Sequence, residues 1–253
     1  MHIPKQLQHY LLNMKYTIDD EGMSSANVYK FSNDKQTLFL KTDKSDRGIV
    51  REKQMYSWLK DKLPLPKVIA QCSDNGIDYL LISKADGVMA QDKKYINNPE
   101  LLIRLVADAI YMLWNVDITN CPFDSTIEAK LLQAKELIEN GNVESIERNK
   151  YTFDLDTPTA IYQYLEKNKL KEDYVFVHGD LCPNNFFFDG EKVSCFIDLG
   201  RAGKGDRWQD IALCIRELEE IIDEKYINKL FELLGITPNY EKIKYYILLD
   251  ELF

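Results

Sequence analysis

The stretch from His178 to Asp198 constrains this chain more than any other: H-G-D-L-C-P-N-N-F-F-F-D-G-E-K-V-S-C-F-I-D. Asn185-Phe186-Phe187-Phe188 is a short apolar run suited to a strand. Asp189-Gly190 is a hairpin turn signal, because glycine takes positive φ without steric cost. Lys192 to Ile197 alternates, which predicts Val193, Cys195 and Ile197 on one face. A hairpin folded at Asp189-Gly190 brings its open ends together. Asn185 begins one arm and Asp198 follows the other, so both fall at one end, beside the loop that carries Asp180.

The spacing H-x-D-x-x-x-x-N of His178, Asp180 and Asn185 is that of a kinase catalytic loop, with the Asp as base and the Asn as a metal ligand. Asp198, at the end of a strand, stands where a second Mg²⁺ ligand belongs. Two oxygen donors at one locus suit Mg²⁺, which takes few protein ligands and keeps waters and phosphates. The plainer alternative is three polar residues capping backbone at loop ends. The full triplet, with a hairpin between its last two members, favours the metal reading.

The rest of the composition sets limits. A chain of 253 residues can bury a substantial core in one or two domains. Hydrophobic content of 45% and charged content of 29% predict a soluble globule. No apolar run approaches the ~20 residues that span a bilayer, and M-H-I-P-K-Q-L-Q-H-Y has no apolar signal core. Five cysteines without a C-x-x-C pair point to free thiols in a reducing cytosol, and hence to a cytoplasmic protein. The net charge of −9 argues against nucleic acid and suits a cationic substrate, although acidic surfaces also serve solubility.

The N-terminal ~85 residues read as strands plus one helix, with a boundary near Lys84-Ala85-Asp86-Gly87. Tyr16-Thr17-Ile18 and Val28-Tyr29-Lys30-Phe31 predict two strands. The small-residue turn between them, with the Ser24 hydroxyl, can be laid against phosphates or be a plain hairpin turn. If Leu38 and Leu40 of Leu38-Phe39-Leu40-Lys41 pack inward, the alternation gives Phe39 and Lys41 a common space, which suits a nucleotide base and its phosphates; an exposed Lys beside a half-buried Phe is the plainer alternative. A helix from about Ser45 to Leu63 carries Ile49, Tyr56, Leu59 and Leu63 as its apolar stripe, and Glu52 either falls on that stripe or marks its imperfection at a frayed helix start. A buried carboxylate needs a partner. Lys41 is the natural one, as in the ion pair that holds the phosphate-binding lysine of kinases. Leu80-Leu81-Ile82-Ser83 predicts a buried strand whose end offers backbone groups to a purine, or serves as a hinge.

The remainder is mostly helical. Helices are predicted from Pro99 to about Val116, from Glu128 to Asn140, and from Pro158 through Tyr162 and Leu165. Asp206 and Asp210 straddle the start of another, where an Asp caps first of all; Asp210 can also brace the catalytic-loop backbone. The chain ends I-K-Y-Y-I-L-L-D-E-L-F. A helix running to the last residue leaves Asp250, Glu251 and the terminal carboxylate as an anionic patch, or as a solvated helix end.

With these residues assembled, the chain resembles the aminoglycoside 3′-phosphotransferases over nearly its whole length. The resemblance is carried by G-M-S-S-A-N-V-Y-K, L-F-L-K, V-R-E-K, L-P-L-P-K-V, A-D-G-V, H-G-D-L, F-I-D-L-G-R-A-G and the C-terminal I-K-Y-Y-I-L-L-D-E-L-F. It implies an α+β, two-lobed, protein-kinase-like fold: an N-terminal antiparallel sheet lobe with one main helix over residues 1–85, and a larger, mostly helical lobe over residues 86–253 with an insertion at about 120–172. It implies ATP with Mg²⁺, and phosphorylation of a hydroxyl on a cationic aminoglycoside, which confers resistance. Asp180 is then the catalytic base, and Asn185 and Asp198 bind Mg²⁺. Lys41 holds phosphates with Glu52 behind it, Ser24 lies over the phosphates and Phe39 on the adenine. Ser83 and Ala85 offer hinge backbone groups. Arg201, Asp250, Glu251 and Phe253 line the drug pocket. Two departures bear on drug spectrum: the loop Leu181-Cys182-Pro183-Asn184, and a stretch 142–158 in which Asp154 and Asp156 would stand in for pocket carboxylates.

Other readings keep the same chemistry or lose it. A kinase of this fold can act on choline, a sugar or a macrolide. A nucleotide-binding pseudoenzyme would have lost a catalytic residue, and none is lost. A protein kinase is disfavoured, because only eleven residues separate Asp198 from Asp210 and there is no A-P-E. The expected partner is a small cationic molecule, without nucleic acid or membrane, on a monomer or weak homodimer.

Overall fold

The computed structural model of the chain describes residues 2–19, 26–45, 48–143, 146, 150–152 and 155–253. A short helix α1 (Lys5–Gln8) precedes five antiparallel strands: β1 (Lys15–Asp19), β2 (Asn27–Ser32), β3 (Thr37–Lys44), β4 (Val68–Asp74) and β5 (Ile77–Ser83). Their order across the sheet is β1-β2-β3-β5-β4. Alternation sorts the side chains. Leu38, Leu40, Tyr79 and Leu81 meet Phe31, Leu7 and Leu11 on one face. Leu80 and Ile82 join the main core on the other, with Phe39 packed beside them.

That second face is covered by α2 (Gly48–Leu59), with Ile49, Glu52, Met55, Tyr56 and Leu59 buried. The helix is shorter than the span from Ser45 to Leu63 read from sequence; residues 46 and 47 are outside the description. It stops because Asp61 turns left-handed at φ 66° and Pro64 follows. Leu63 is buried as expected, but in the turn.

A two-residue strand β6 (Val88–Met89) and a one-turn α3 (Lys93–Ile96) lead into α4 (Pro99–Trp114). Asn98 caps α4 by accepting the Leu101 N–H, and Pro99 starts it. Then come α5 (Ile127–Glu139), capped by Thr126, and α6 (Pro158–Lys167), capped by Thr157. Strand β7 (Tyr174–Val177) pairs with β10 (Gly203–Asp206), and β8 (Phe186–Asp189) with β9 (Lys192–Phe196). The chain finishes with α7 (Arg207–Leu218), α8 (Glu224–Leu234) and α9 (Tyr240–Asp250). Helix α7 packs on α9 and α4 on α8. This is the expected two-lobed architecture of an antiparallel sheet followed by a helical part.

The β8–β9 hairpin forms with two corrections. Asp189 pairs with Lys192, so the turn residues are Gly190 and Glu191 rather than Asp189-Gly190. Gly190 takes φ 60° there. The register shifts past Ser194, because Phe187 pairs with Cys195 while Phe188 pairs with Val193. The bulge breaks the expected face: Val193 packs on the main core, whereas Cys195 and Ile197 join Ala85 and Phe187 in a small apolar cluster. The extra residue has a use, since Ser194 Oγ donates to the Asp86 carbonyl at 2.6 Å and ties the hairpin to the segment leaving the sheet.

Helix α9 does not run to the last residue. It ends at Asp250, and the fully buried Leu252 turns into the core. Among the described residues no helix is long and apolar enough to cross a membrane.

Candidate active site

Lys41 leaves β3 toward α2. Its Nζ donates to Glu52 Oε1 at 2.8 Å and lies 3.2 Å from Asp198 Oδ1. The Lys41 and Glu52 side chains are 9% and 4% exposed, while that of Asp198 is 38% exposed. Burial works against the Lys41 ammonium, but Asp198 and Glu52 more than reverse it and hold its pKa above the ordinary lysine value. Asp198 is held below the ordinary carboxylate range by Lys41 first, against the opposing effect of burial. The ion pair inferred from one misplaced Glu on an apolar stripe is present. Helix α2 also packs on the 3₁₀ turn Leu199–Arg201, so the same helix positions Glu52 and supports the segment after Asp198.

The loop after β7 carries Asp180. Asp210, fully buried at the start of α7, accepts the backbone N–H of His178 at 2.7 Å and of Gly179 at 2.9 Å. Gln209 Nε2 donates to the Gly179 carbonyl. His178 reaches the Ile197 carbonyl through Nε2 at 2.8 Å, which ties the loop to the strand end before Asp198. Gly179 has φ 84°, and a Cβ there would stand 2.3 Å from the Arg201 carbonyl oxygen, so only glycine fits. Asn185 Nδ2 donates to the Asp180 carbonyl at 2.9 Å and lies 3.3 Å from Asp180 Oδ2. Asn185 also accepts the Ile197 N–H at its own carbonyl. Asp180, Asn185 and Asp198 therefore meet at the open end of the hairpin. Asp198 itself sits at φ 60°, a left-handed conformation uncommon for a non-glycine residue.

At the end of the sheet, Ser83 is partly engaged by the chain itself. Its N–H donates to the Lys67 carbonyl and its hydroxyl accepts the Lys67 N–H, both at 2.9 Å, so these groups are engaged by β4's approach. Ala85 backbone groups make no hydrogen bond among the described residues, and its methyl lies on the cluster of Phe187, Cys195, Met89 and Ile197. Ser24 and Asp154 lie outside the described residues. Asp156 is exposed on the approach to α6.

Arg201, Asp250 and Phe253 come together. Arg201 Nη1 donates to Asp250 Oδ1 at 3.1 Å, and its guanidinium carbon is 5.9 Å from the centre of the Phe253 ring. Asp250 Oδ2 accepts from Arg216 Nη1 at 2.9 Å. The acidic end is thus not a patch of unpaired carboxylates, because both Asp250 oxygens are held by arginines. Glu251 follows as the C-terminal cap of α9.

Two residues were missed. Arg216 lies 34 positions from Asp250, and no spacing rule links them. Lys130 is buried on α5 with Ile127, Leu131 and Ala134. It is a charge on an apolar stripe, the signal that revealed Glu52.

Residues 16–246 match the Phosphotransferase enzyme family. An aminoglycoside 3′-phosphotransferase of Enterococcus faecalis is 40% identical over 100% of this chain and 99% of its own. One from Campylobacter jejuni is 37% identical over 92% of this chain and 94% of its own. The crystal structure of a type VIII aminoglycoside 3′-phosphotransferase superposes with a TM-score of 0.87 at 25% identity, covering 98% of this chain and 97% of that one. An aminoglycoside phosphotransferase of Streptomyces rimosus, solved with ADP and streptomycin, shares the fold at a TM-score of 0.76 and 21% identity, over 92% of this chain and 94% of its own. By sequence along its whole length, the chain belongs to the aminoglycoside 3′-phosphotransferases of the Phosphotransferase enzyme family.

Proposed function

We propose that the chain transfers the γ-phosphate of ATP to a hydroxyl of an aminoglycoside, in the cytoplasm, as a monomer or weak homodimer, and so confers resistance. The observation that carries this reading is the unbroken run of contacts from Glu52 through Lys41 to Asp198, and from Ile197 through Asn185 to Asp180. Phosphoryl transfer asks a protein mainly for positioning and charge neutralisation, and this run supplies both. The five cysteines are free thiols, in keeping with a reducing compartment.

Asp180 accepts the proton of the attacking hydroxyl as that oxygen bonds to the γ-phosphorus and the bond to the β-phosphate oxygen breaks. Lys41, kept charged and aimed by Glu52, takes phosphate oxygens. Phe39 and the backbone of Ala85 face the base, and Ser24 the phosphates; Ser83 has only its carbonyl to add. Residues 1–85 form the nucleotide-binding lobe, and residues 86–253 the catalytic and drug-binding lobe, with its insertion at about 120–172. Arg201, Asp250, Glu251 and Phe253 line the drug pocket.

The donor set suits Mg²⁺. Asn185 spends its amide nitrogen on Asp180, which turns its oxygen away from that residue. Asp198 gives Oδ1 to Lys41, and its Oδ2 has no such partner among the described residues. Two protein oxygens leave room for phosphate oxygens and waters. Bound there, the ion would neutralise charge on the β- and γ-phosphates.

The test is ATP consumption by the purified chain with kanamycin, with choline and with buffer alone. Turnover with kanamycin only is expected. Turnover with choline in its place moves the substrate to another alcohol, and no turnover with either overturns the reading.

A further inference from the structure

The buried stripe of α5 holds one charge. Lys130 is 8% exposed, and among the described residues its Nζ makes no hydrogen bond and no ion pair. Its close neighbour is the face of Phe253, 4.9 Å from Nζ to the ring centre. An ammonium taken out of water without a carboxylate is costly, and a ring face returns only part of that. The charged groups around it are Arg201 on the 3₁₀ turn, Asp250 on α9, Arg51 on α2 and Asp180 on the catalytic loop. Neither carboxylate is free to become its partner by simple approach: Asp250 already binds Arg201 and Arg216, and Asp180 binds Asn185.

The end of the chain offers an aromatic face and a carboxylate, the two features that receive an ammonium. Both are already served by cations of the chain itself. We propose that Lys130 determines specificity in the drug pocket: its ammonium sits over Phe253 beside Asp250, where an ammonium of the aminoglycoside would otherwise go, and so disfavours amino groups at that subsite. This rests on the function proposed above. An anchoring role for Lys130 is the competing reading. Burial, reinforced by Arg201, lowers its pKa to about 8, so the charge is carried at neutral pH against the preference of its surroundings. Among the described residues Lys130 meets the chain end through the Phe253 ring face alone, without a hydrogen bond or ion pair, which is a weak hold.

The test compares Lys130→Met, which keeps the stem and removes the charge, with Lys130→Arg, which keeps the charge. At pH 7, Lys130→Met is expected to lower the kanamycin KM by about tenfold, the order of effect of removing one like charge from a partly screened pocket. The ATP KM should not move, Lys130→Arg should keep the parent kanamycin KM, and Lys130→Met should melt no lower than the parent. The ratio of parent to Lys130→Met KM should fall toward one above pH 9, where Lys130 is neutral in the parent too. A kanamycin KM that is unchanged or raised in a folded Lys130→Met overturns the proposal. So does loss of folding in both Lys130→Met and Lys130→Gln, which would make the ammonium a structural anchor. If the parent itself does not consume ATP with kanamycin, the function has failed rather than this inference.

Discussion

Asp210 Oδ2 accepts the backbone N–H of His178 at 2.7 Å, while its Oδ1 accepts that of Gly179 at 2.9 Å. One buried carboxylate thus fixes the two residues before Asp180. In Asp210→Asn, an amide NH₂ faces one of those N–H groups, and a buried donor loses its acceptor. Such a loss costs about 1–3 kcal/mol. Urea denaturation should show that drop, and kcat should fall further than stability alone explains, while ATP still binds. A variant with parental kcat would mean the brace does not position Asp180.

Asp180→Asn should lose ~10²-fold or more in kcat, the usual contribution of a positioned base. It should bind ATP as the parent does, because the Asp180 carboxylate contacts Asn185 rather than Lys41. Isothermal titration and a coupled turnover assay on the same preparation separate the two effects. Near-parental turnover would remove Asp180 from the mechanism.

Asp198→Ala is expected to abolish Mg²⁺-dependent ATP binding, and Asn185→Ala to weaken it less. The carboxylate brings charge to the metal and the amide does not. Asp198→Ala also removes one of the two carboxylates that hold Lys41. Calorimetry with Mg-ATP reads the order directly, and equal binding by both variants and the parent would rule out the hairpin as the metal site.

The legible parts of this site were those written in local periodicity. Glu52 stood out because a charge fell at a helical spacing reserved for apolar residues, and Lys41 was the one nearby answer. Lys130 broke the stripe of α5 in the same way, yet among the described residues no hydrogen bond or ion pair answers it. The hairpin was legible from its turn and alternation, but not the bulge at Ser194, which is set by the Asp86 carbonyl more than a hundred positions away in sequence. The capture of Ser83 by Lys67 and of Asp250 by Arg216 are likewise tertiary, with no local pattern to announce them.

Cys182, two residues after Asp180, should be inert despite its partial exposure. Burial, with the Asp180 charge adding to it, pushes its thiol up to about 12. The thiolate is the reactive form, so at pH 8 only about one molecule in 10⁴ carries it. Alkylation by iodoacetamide, followed by mass spectrometry on the native protein, should be slow at pH 7.5. It should rise about tenfold per pH unit toward 12. Removing the neighbouring charge in Asp180→Asn should speed it. Rapid labelling of Cys182 at neutral pH would contradict the burial of this loop.

The chain end gives the sharpest test of the drug pocket, and the structure says how to run it. Deleting Leu252-Phe253 is a poor probe, because Leu252 is fully buried and its loss leaves a cavity worth about 2–5 kcal/mol. Asp250→Asn is cleaner in volume but strong in charge: it leaves Arg201 and Arg216 sharing one neutral amide. The pocket gains a net positive charge just where a polycation must dock. One uncompensated positive charge in a partly screened pocket acts on a docking polycation through Coulomb repulsion, so the kanamycin KM should rise on the order of 10- to 100-fold. The ATP KM should stay near that of the parent, since Lys41, Glu52 and Asp198 are untouched. Phe253→Ala should raise the kanamycin KM less, as it removes a ring face and no charge. Both effects are expected to shrink as ionic strength rises, since salt screens partly exposed charges. An Asp250→Asn enzyme that stays folded and keeps its kanamycin KM would place the drug elsewhere, and would leave phosphoryl transfer at Asp180 standing.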